Sequence, residues 1–482
     1  MLPGSAQSLV LGIDIGTTSA KICLVDLFSQ EVVFEKAAET GSDIVPTPQK
    51  ETTDAADKGA DCSLQFLSEQ SVPKIWHTVN SLLDSVKEEW LKLVVAIGIC
   101  GQQHGIVLWN SDACRRESLE SDLQKPGAIS HLITWQDQRC STGFLESLPV
   151  PEPEQVLATG YGCCSLLWFV RNDPEFLRGY DTAGSVMDFF VWMLCDITKP
   201  VMSPQNAEAW GYFNRKKNEW NTAILKEAGA PVFLLPDIQH SSQFFAGTLR
   251  MPWKSIRKDV PVSVGMGDLQ CSFVASLENE NDAILNFSTS SQLTFIHNSV
   301  SASPPASCDV RSYFYERHLL CAPSLNGGNA LQLFASMVTN WAKSFGITLT
   351  MEDVWKVFKE EGNSVDWSLS NDPHISPRPF GERYDTKTLA SVTQIGTGNC
   401  NIGAVVRGIL RGIISNLEVM IPKHVVHQCG INRIVLTGSL FRTFPQLKTF
   451  VSSVFELPTA EKTTGKDAAF GAAYITAKMV PS

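Results

Sequence analysis

Apolar positions along this chain recur with two periods. Leu9 to Asp26, LVLGIDIGTTSAKICLVD, holds two β-rich runs on either side of Gly16-Thr17-Thr18, which predicts a strand–turn–strand hairpin. Ile75, Val79, Leu82, Leu83, Val86 and Trp90 recur at helical spacing, predicting a helix over Ile75 to Lys92. A buried strand is expected from Leu93 to Cys100, ending in Gly101-Gln102-Gln103-His104-Gly105. Pro261 to Gly267 reads as a strand that delivers Asp268, and Leu269 to Leu277 as a helix. Ala283 to Phe295, AILNFSTSSQLTF, is a second hairpin with a hydroxyl-rich turn. A helix over Ile402 to Val419, a strand over Arg433 to Thr437 and a small-residue helix over Lys466 to Lys478 complete the pattern.

Between these elements the chain turns polar. Residues 40–74 and Asn110 to about Ser130 are expected to be surface loops, as is Val300 to Ser312 with Ser303-Pro304-Pro305 at its tip. The recurrence of a hairpin near the start and near Asn286 suggests duplication. It places a boundary near residue 278, giving domains 1–278 and 279–482.

Composition narrows the classes. At 482 residues the chain has length for two to four domains at about 150 residues each. Apolar residues are 44% and charged residues 18%, a compact protein rather than a disordered one. The net charge of -11, with no basic block, argues against a nucleic-acid partner, because that binding draws on Lys and Arg neutralising phosphates. Thirteen cysteines without a CxxC pair predict reduced thiols and a cytoplasmic location. The first residues lack a basic and apolar leader. The best membrane candidate, Val186 to Ile197, is short and carries Asp188 and Asp196, so no membrane partner is expected.

Four segments carry candidate chemistry. In Asp14-Ile15-Gly16-Thr17-Thr18-Ser19, Gly16 permits a tight turn whose N–H groups can face an anion. Thr17, Thr18 and Ser19 add hydroxyls, Lys21 a point charge, and Asp14 a carboxylate able to hold a metal's water shell. An ordinary hairpin turn with an Asp cap accounts for this segment equally well. In Val264-Gly265-Met266-Gly267-Asp268, Asp268 sits where a strand meets a helix and could accept a hydroxyl proton; a plain helix cap is the alternative. The turn around Thr289 suits a second phosphate contact, or is only a polar turn. Gly438-Ser439 at a helix start brings backbone close to a ligand such as a nucleoside.

Other features are plainer. His424 and His427 lack a third ligand and suit a helix surface better than zinc. Lys58 to Glu69 reads as a solvated face. Trp135-Gln136-Asp137-Gln138-Arg139 is either a sugar contact or a helix start with solvated charges. GxSxG, HExxH, GxGxxG and Walker motifs are absent.

Taken in order, Asp14 to Ser19, GQQHG near 100, TWQDQR near 135, GMGD at 268, the Ser-Thr-Ser turn and Thr-Gly-Ser near 438 resemble the FGGY carbohydrate kinases over essentially the whole chain. SHLITWQDQRC (130–140), SPQNAEAWGYFN (203–214) and SLNGGNAL (324–331) are most similar to members acting on sedoheptulose. The resemblance implies an α/β fold of two actin-like ribonuclease-H-type domains with a central cleft. It implies ATP and Mg²⁺, a sugar against the N-terminal domain and nucleotide against the C-terminal one. Asp268 would be the general base. Asp14 would help place the metal through water. Thr17, Thr18, Ser19, Lys21 and Thr289 would meet the phosphates, and Gly438 and Ser439 the adenosine. Gln103, His104, Trp135 and Asp137, with Asp268, would face the sugar. The implied reaction gives sedoheptulose 7-phosphate for the pentose phosphate pathway, by a monomer or homodimer. Xylulose or another ketose or polyol as substrate, and a non-catalytic sugar or nucleotide sensor, are the alternatives.

Overall fold

A computed structural model describes residues 8–44, 67–114, 127–153, 155–240, 243–297, 305–382, 384–385, 387–462 and 466–481. The Ser303-Pro304 end of one expected loop tip, most of the expected loops at 40–74 and 110–130, and most of the Lys58 to Glu69 charge run lie outside these residues. The chain divides into two compact units, residues 1–275 with 466–482, and residues 276–465. This differs from a simple cut at 278, because the C-terminal helix returns to the first unit. The reason is steric and lies in that unit's sheet.

The first unit is built on strands β1 (Leu9–Ile15), β2 (Ser19–Asp26), β3 (Val32–Glu39), β4 (Val94–Gly101), β5 (Phe245–Thr248), β6 (Pro261–Ser263) and β7 (Met266–Gly267). Their order is β5-β6-β4-β1-β2-β3, with β7 paired to β4. β1 runs antiparallel to β2 and parallel to β4, so the carboxyl ends of β1, β4 and β7 come together. All seven residues of β1 are buried, as a central strand covered on both faces requires. On one face lies helix α1 (Val72–Asp84), capped by Ser71. It is shorter than the periodicity predicts; the chain turns at Ser85 before a single further turn at Glu88–Leu91.

The first unit also contains α2 (Val186–Leu194), α3 (Pro204–Trp210) and α4 (Asp268–Ser276), the last reaching just past its boundary. The second unit has strands β8 (Asp282–Phe287), β9 (Ser291–His297), β10 (Asp309–Ser312), β11 (His318–Ser324), β12 (Arg433–Thr437) and β13 (Thr459–Glu461), ordered β10-β11-β9-β8-β12-β13. β10 occupies the end of a segment expected to be loop. Helices α5 (Gly328–Ser344), α6 (Met351–Gly362) and α7 (Ile402–Met420) pack with this sheet into one apolar core.

Both sheets share one plan. A hairpin is extended by an antiparallel strand on one side and by parallel strands on the other: β3-β2-β1-β4-β6 in the first unit and β11-β9-β8-β12-β13 in the second. This is the ribonuclease-H-type order, and it is the duplication the two hairpins foreshadow.

Helix α8 (Ala468–Met479) covers the other face of the first sheet. It belongs there because a Cβ on Gly12 would overlap the carbonyl oxygen of Ala469. Gly12 on the strand and the alanines of the helix let the two backbones approach closely. Among the described residues every cysteine is free, and no helix is long and apolar enough to cross a membrane.

Candidate active site

The turn between β1 and β2 is fastened from beneath. Gly16 N–H bonds Ser19 O at 3.0 Å, closing the loop. Gln70 Nε2 donates to Thr17 O at 2.5 Å and to Asp43 at 2.9 Å, while its Oε1 accepts from Gln102 Nε2 at 2.9 Å. Thr40 N–H bonds Thr18 O at 3.0 Å. These bonds hold carbonyls on one side of the turn. Thr18 is exposed, and Thr17 and Ser19 half-buried. Trp135, 46% exposed, donates its indole N–H to Thr17 Oγ1 at 3.0 Å, so a predicted sugar-side residue lies against a predicted phosphate-side one.

Two carboxylates meet at the strand ends. Asp14, at β1, is 6% exposed. Burial raises its carboxyl from 3.8 to about 7, aided by the negative charges of Asp268 and Asp467 and opposed by Lys21 and the Cys100 thiol. Asp268 opens α4 and keeps some exposed surface. Desolvation lifts it to about 6, against the pull of the Leu269 N–H, which bonds Asp268 Oδ1 at 2.7 Å. Asp14 at the end of β1 and Asp268 just past β7, strands that both pair with β4, therefore titrate near neutrality, the range in which a group can exchange protons with a hydroxyl.

Lys21 sits opposite Asp14 in the β1–β2 register, with its ammonium 3.3 Å from Asp467. Asp467 caps α8, accepting from the N–H groups of Ala469 and Phe470. Sequence reasoning missed Asp467. The signal was an Asp immediately before an alanine-rich helix.

The segment carrying Asp268 is held by α3. Ser203 Oγ and Asn206 Nδ2 both donate to Gly265 O, at 2.7 and 3.0 Å, and Gln205 Oε1 accepts from Gly267 N–H at 3.0 Å. Gln103 joins this network, donating to Gln205 O and to Asn206 Oδ1, each at 3.2 Å. His104, at φ 76°, stacks on Tyr161 with ring centres 4.7 Å apart. Its Nδ1 lies 2.7 Å from Ala209 O and must carry the proton there, because a carbonyl only accepts.

Asp137 has a different setting. It is fully buried, and its carboxylate accepts from Arg139 Nε at 2.7 Å, Arg139 Nη2 at 3.1 Å and Ser68 N–H at 2.9 Å. Both oxygens are occupied by protein donors, which makes Asp137 a brace for the Trp135 loop.

In the second unit, the Ser288–Ser290 turn between β8 and β9 is exposed, with Ser288 N–H bonded to Ser290 O at 3.0 Å. Gly438, at φ 108°, passes so close to Phe287 that a Cβ would overlap its backbone. Thr289, Gly438 and Ser439 are thus brought to neighbouring strand ends, since β8 pairs with β12 up to Asn286 and Thr437.

Comparison with known proteins places the chain in a family. Residues 9–275 match the N-terminal domain model of the FGGY family of carbohydrate kinases. The chain is 36% identical to sedoheptulokinase of Mus musculus over 483 residues, 98% of both chains. It is 36% identical to sedoheptulokinase of Homo sapiens over 480 residues, again 98% of both. A xylulose kinase structure from Rhodospirillum rubrum superposes with a TM-score of 0.76 at 16% identity, over 98% of this chain and 90% of that one. A structure titled a xyloylose kinase from Brucella ovis gives 0.74 at 18%, over 98% and 91%. These structures share the fold, and the full-length relatives share the sequence along both units; the chain belongs to the FGGY family of carbohydrate kinases.

Proposed function

We propose that this chain transfers the γ-phosphoryl group of ATP to the terminal primary hydroxyl of sedoheptulose, giving the 7-phosphate. The sedoheptulokinases that it matches along their whole length support the substrate. The observation that carries the chemistry is Asp268, a carboxylate raised to about 6 at a strand end beside Asp14.

Asp268 takes the proton of the sugar hydroxyl as its oxygen attacks the γ-phosphorus, and the β–γ bridging oxygen leaves with ADP. General base help of this kind is worth about 10²–10⁴ in rate. Gln103, His104 and Trp135 orient the sugar, and Asp137 braces the Trp135 loop. Thr17, Thr18, Ser19 and Lys21 are the first unit's proposed phosphate contacts; in the second unit Thr289 is proposed for phosphate, and Gly438 and Ser439 for the adenosine.

The donor set fits Mg²⁺. Asp268 and Asp467 crowd Asp14 with negative charge, and a divalent cation relieves such crowding. Among the described residues no group of three or more His, Cys, Asp or Glu forms an all-protein metal cage. Asp14, together with the substrate's phosphates, would hold such a cation, which would neutralise phosphate charge when bound. A reducing cytoplasm suits the free cysteines, and a monomer or homodimer is proposed.

The test is ADP release by purified protein with Mg²⁺-ATP and a ketose panel of sedoheptulose, xylulose and a no-sugar control. Sedoheptulose is expected to give the highest kcat/KM. Asp268→Ala is expected to lose at least about 100-fold in turnover while still binding ATP. Near-normal turnover of that variant defeats the assignment. A higher kcat/KM for xylulose moves the substrate to a five-carbon ketose. Nucleotide binding without sugar-dependent ADP release leaves a sensor.

A further inference from the structure

Glu382 belongs to none of the segments discussed so far, yet it is completely buried. Its Oε1 accepts from Ser324 Oγ at 2.6 Å, Asn326 Nδ2 at 2.9 Å and Asn416 Nδ2 at 2.7 Å. Its Oε2 accepts from Leu325 N–H at 3.0 Å. All four donors are neutral, so what they supply is direction rather than an opposite charge. Three of the four come from residues 324–326, the connection from β11 to α5. Asn326 is gripped further: its Nδ2 bonds Gly381 O at 2.8 Å, and its Oδ1 accepts from Phe380 N–H at 3.3 Å.

That connection runs directly under the Ser288–Ser290 turn. Gly328 N–H bonds Ser288 O at 2.7 Å, and Asn329 N–H bonds Thr289 O at 3.0 Å. Ser291 Oγ bonds Asn326 O at 2.7 Å. Gly327 lies so near that a Cβ would overlap the Ser290 backbone. Asn329 stiffens the bend, with Oδ1 accepting from Gly327 N–H and Nδ2 donating to Leu325 O, both at 2.8 Å. The chain of contact is therefore continuous from Glu382, through residues 324–329, to the carbonyls of the turn. It leaves the turn's hydroxyl side exposed.

We propose that Glu382 is a positioning residue for phosphoryl transfer: it locks the 324–329 connection so that the Ser288–Ser290 turn meets the nucleotide's phosphates in one conformation. This rests on reading that turn as a phosphate contact. Glu382→Gln keeps the shape but turns one acceptor into a donor that faces other donors. A misplaced turn weakens nucleotide contacts and leaves the sugar residues, which lie in the other unit, as they were.

The experiment is steady-state kinetics on the full chain, varying ATP and sedoheptulose in turn, with calorimetric titration of Mg²⁺-ADP as a binding readout. Glu382→Gln is expected to raise the KM for ATP and the Kd for ADP about tenfold, with the sugar KM within about twofold. Asp372→Asn is the control. Asp372 is another buried carboxylate of the same unit, and it pairs with Arg407 and Arg411 instead of residues 324–329. It is expected to lower Tm without separating the two KM values. Wild-type nucleotide constants in Glu382→Gln, or the same ATP-side change in Asp372→Asn, overturn the proposal. Should Glu382→Gln fail to fold, Ser324→Ala removes one donor to Glu382, with the oxygen that accepts from Asn326 N–H at 3.1 Å, and must shift the ATP side in the same direction; no shift overturns the proposal. Wild-type protein without sugar-dependent ADP release defeats the phosphate reading itself, and is distinguished by the unmutated chain failing.

Discussion

Asp268 and Asp14 show how one residue's environment sets both reactivity and stability. Unfolded, each carboxyl titrates near its ordinary value of 3.8; folded, they titrate near about 6 and about 7. Between pH 4 and 7 the native state therefore binds more protons than the unfolded chain. By linkage its stability falls as pH rises through that window, and the full cost is present above it. Asp268→Asn removes one share. Its Tm is expected to exceed the wild type's by a few degrees at pH 8, a difference on the order of 1–3 kcal/mol, and the gap is expected to shrink towards pH 5. Wild-type kcat/KM is expected to fall as pH drops through about 6, where the base becomes protonated. Thermal melts at the two pH values and a pH–rate profile check both signs. An equal Tm gap at both pH values contradicts the raised carboxyl.

At the scale of elements, the β1–β2 hairpin and α8 share a joint at Lys21 and Asp467. The ion pair is about one-third exposed on each side, a setting in which such pairs contribute little. The cap that Asp467 gives α8 is worth about 1 kcal/mol. Asp467→Ala is therefore expected to lower Tm more than Lys21→Ala does. Lys21→Ala is expected to raise the KM for ATP more, if Lys21 serves phosphate. Melts and ATP titrations of the two variants separate the roles; a larger Tm loss in Lys21→Ala reverses the assignment. Asp14, Thr17 and Asp268 were legible in the sequence because glycine and a strand end mark each of them locally. Asp467 was missed as a cap, because the expected helix began at Lys466 and ran across it. Glu382 was not legible, because its donors lie 34 to 58 residues away along the chain and only the fold assembles them. Asp137 was legible as polar but not as a brace, since Ser68 reaches it from 69 residues away.

At the scale of the whole molecule, the repeated hairpin revealed two related sheets. What it left hidden was that the first unit is discontinuous. Periodicity gives a helix at the C-terminus but says nothing of which sheet has the glycine faces to receive it. Gly12 on β1 and Gly98 on β4 answer this: a Cβ at either would overlap α8, at Ala469 and at Thr476 respectively. Residues 466–482 thus close the core of a unit that begins at the other end of the chain. Removing them uncovers β1, β2 and β4 on one face. Val10, Cys23, Val25 and Ala96, buried in a cluster with Ala469, Phe470, Ala473 and Ala477, then meet water. At about 25 cal/mol per Å² of apolar surface, exposing that face destabilises the sheet it covers. A chain ending at residue 465 is expected to lose amide protection in β1, β2 and β4, at the far end of the sequence from the cut. β8, β9 and β12, in the second unit's own core, are expected to keep theirs. Hydrogen exchange resolved by peptide reads this directly. Protection lost equally in both sheets shows that they unfold as one body, whereas protection retained in β1 shows that α8 is dispensable to the sheet it covers.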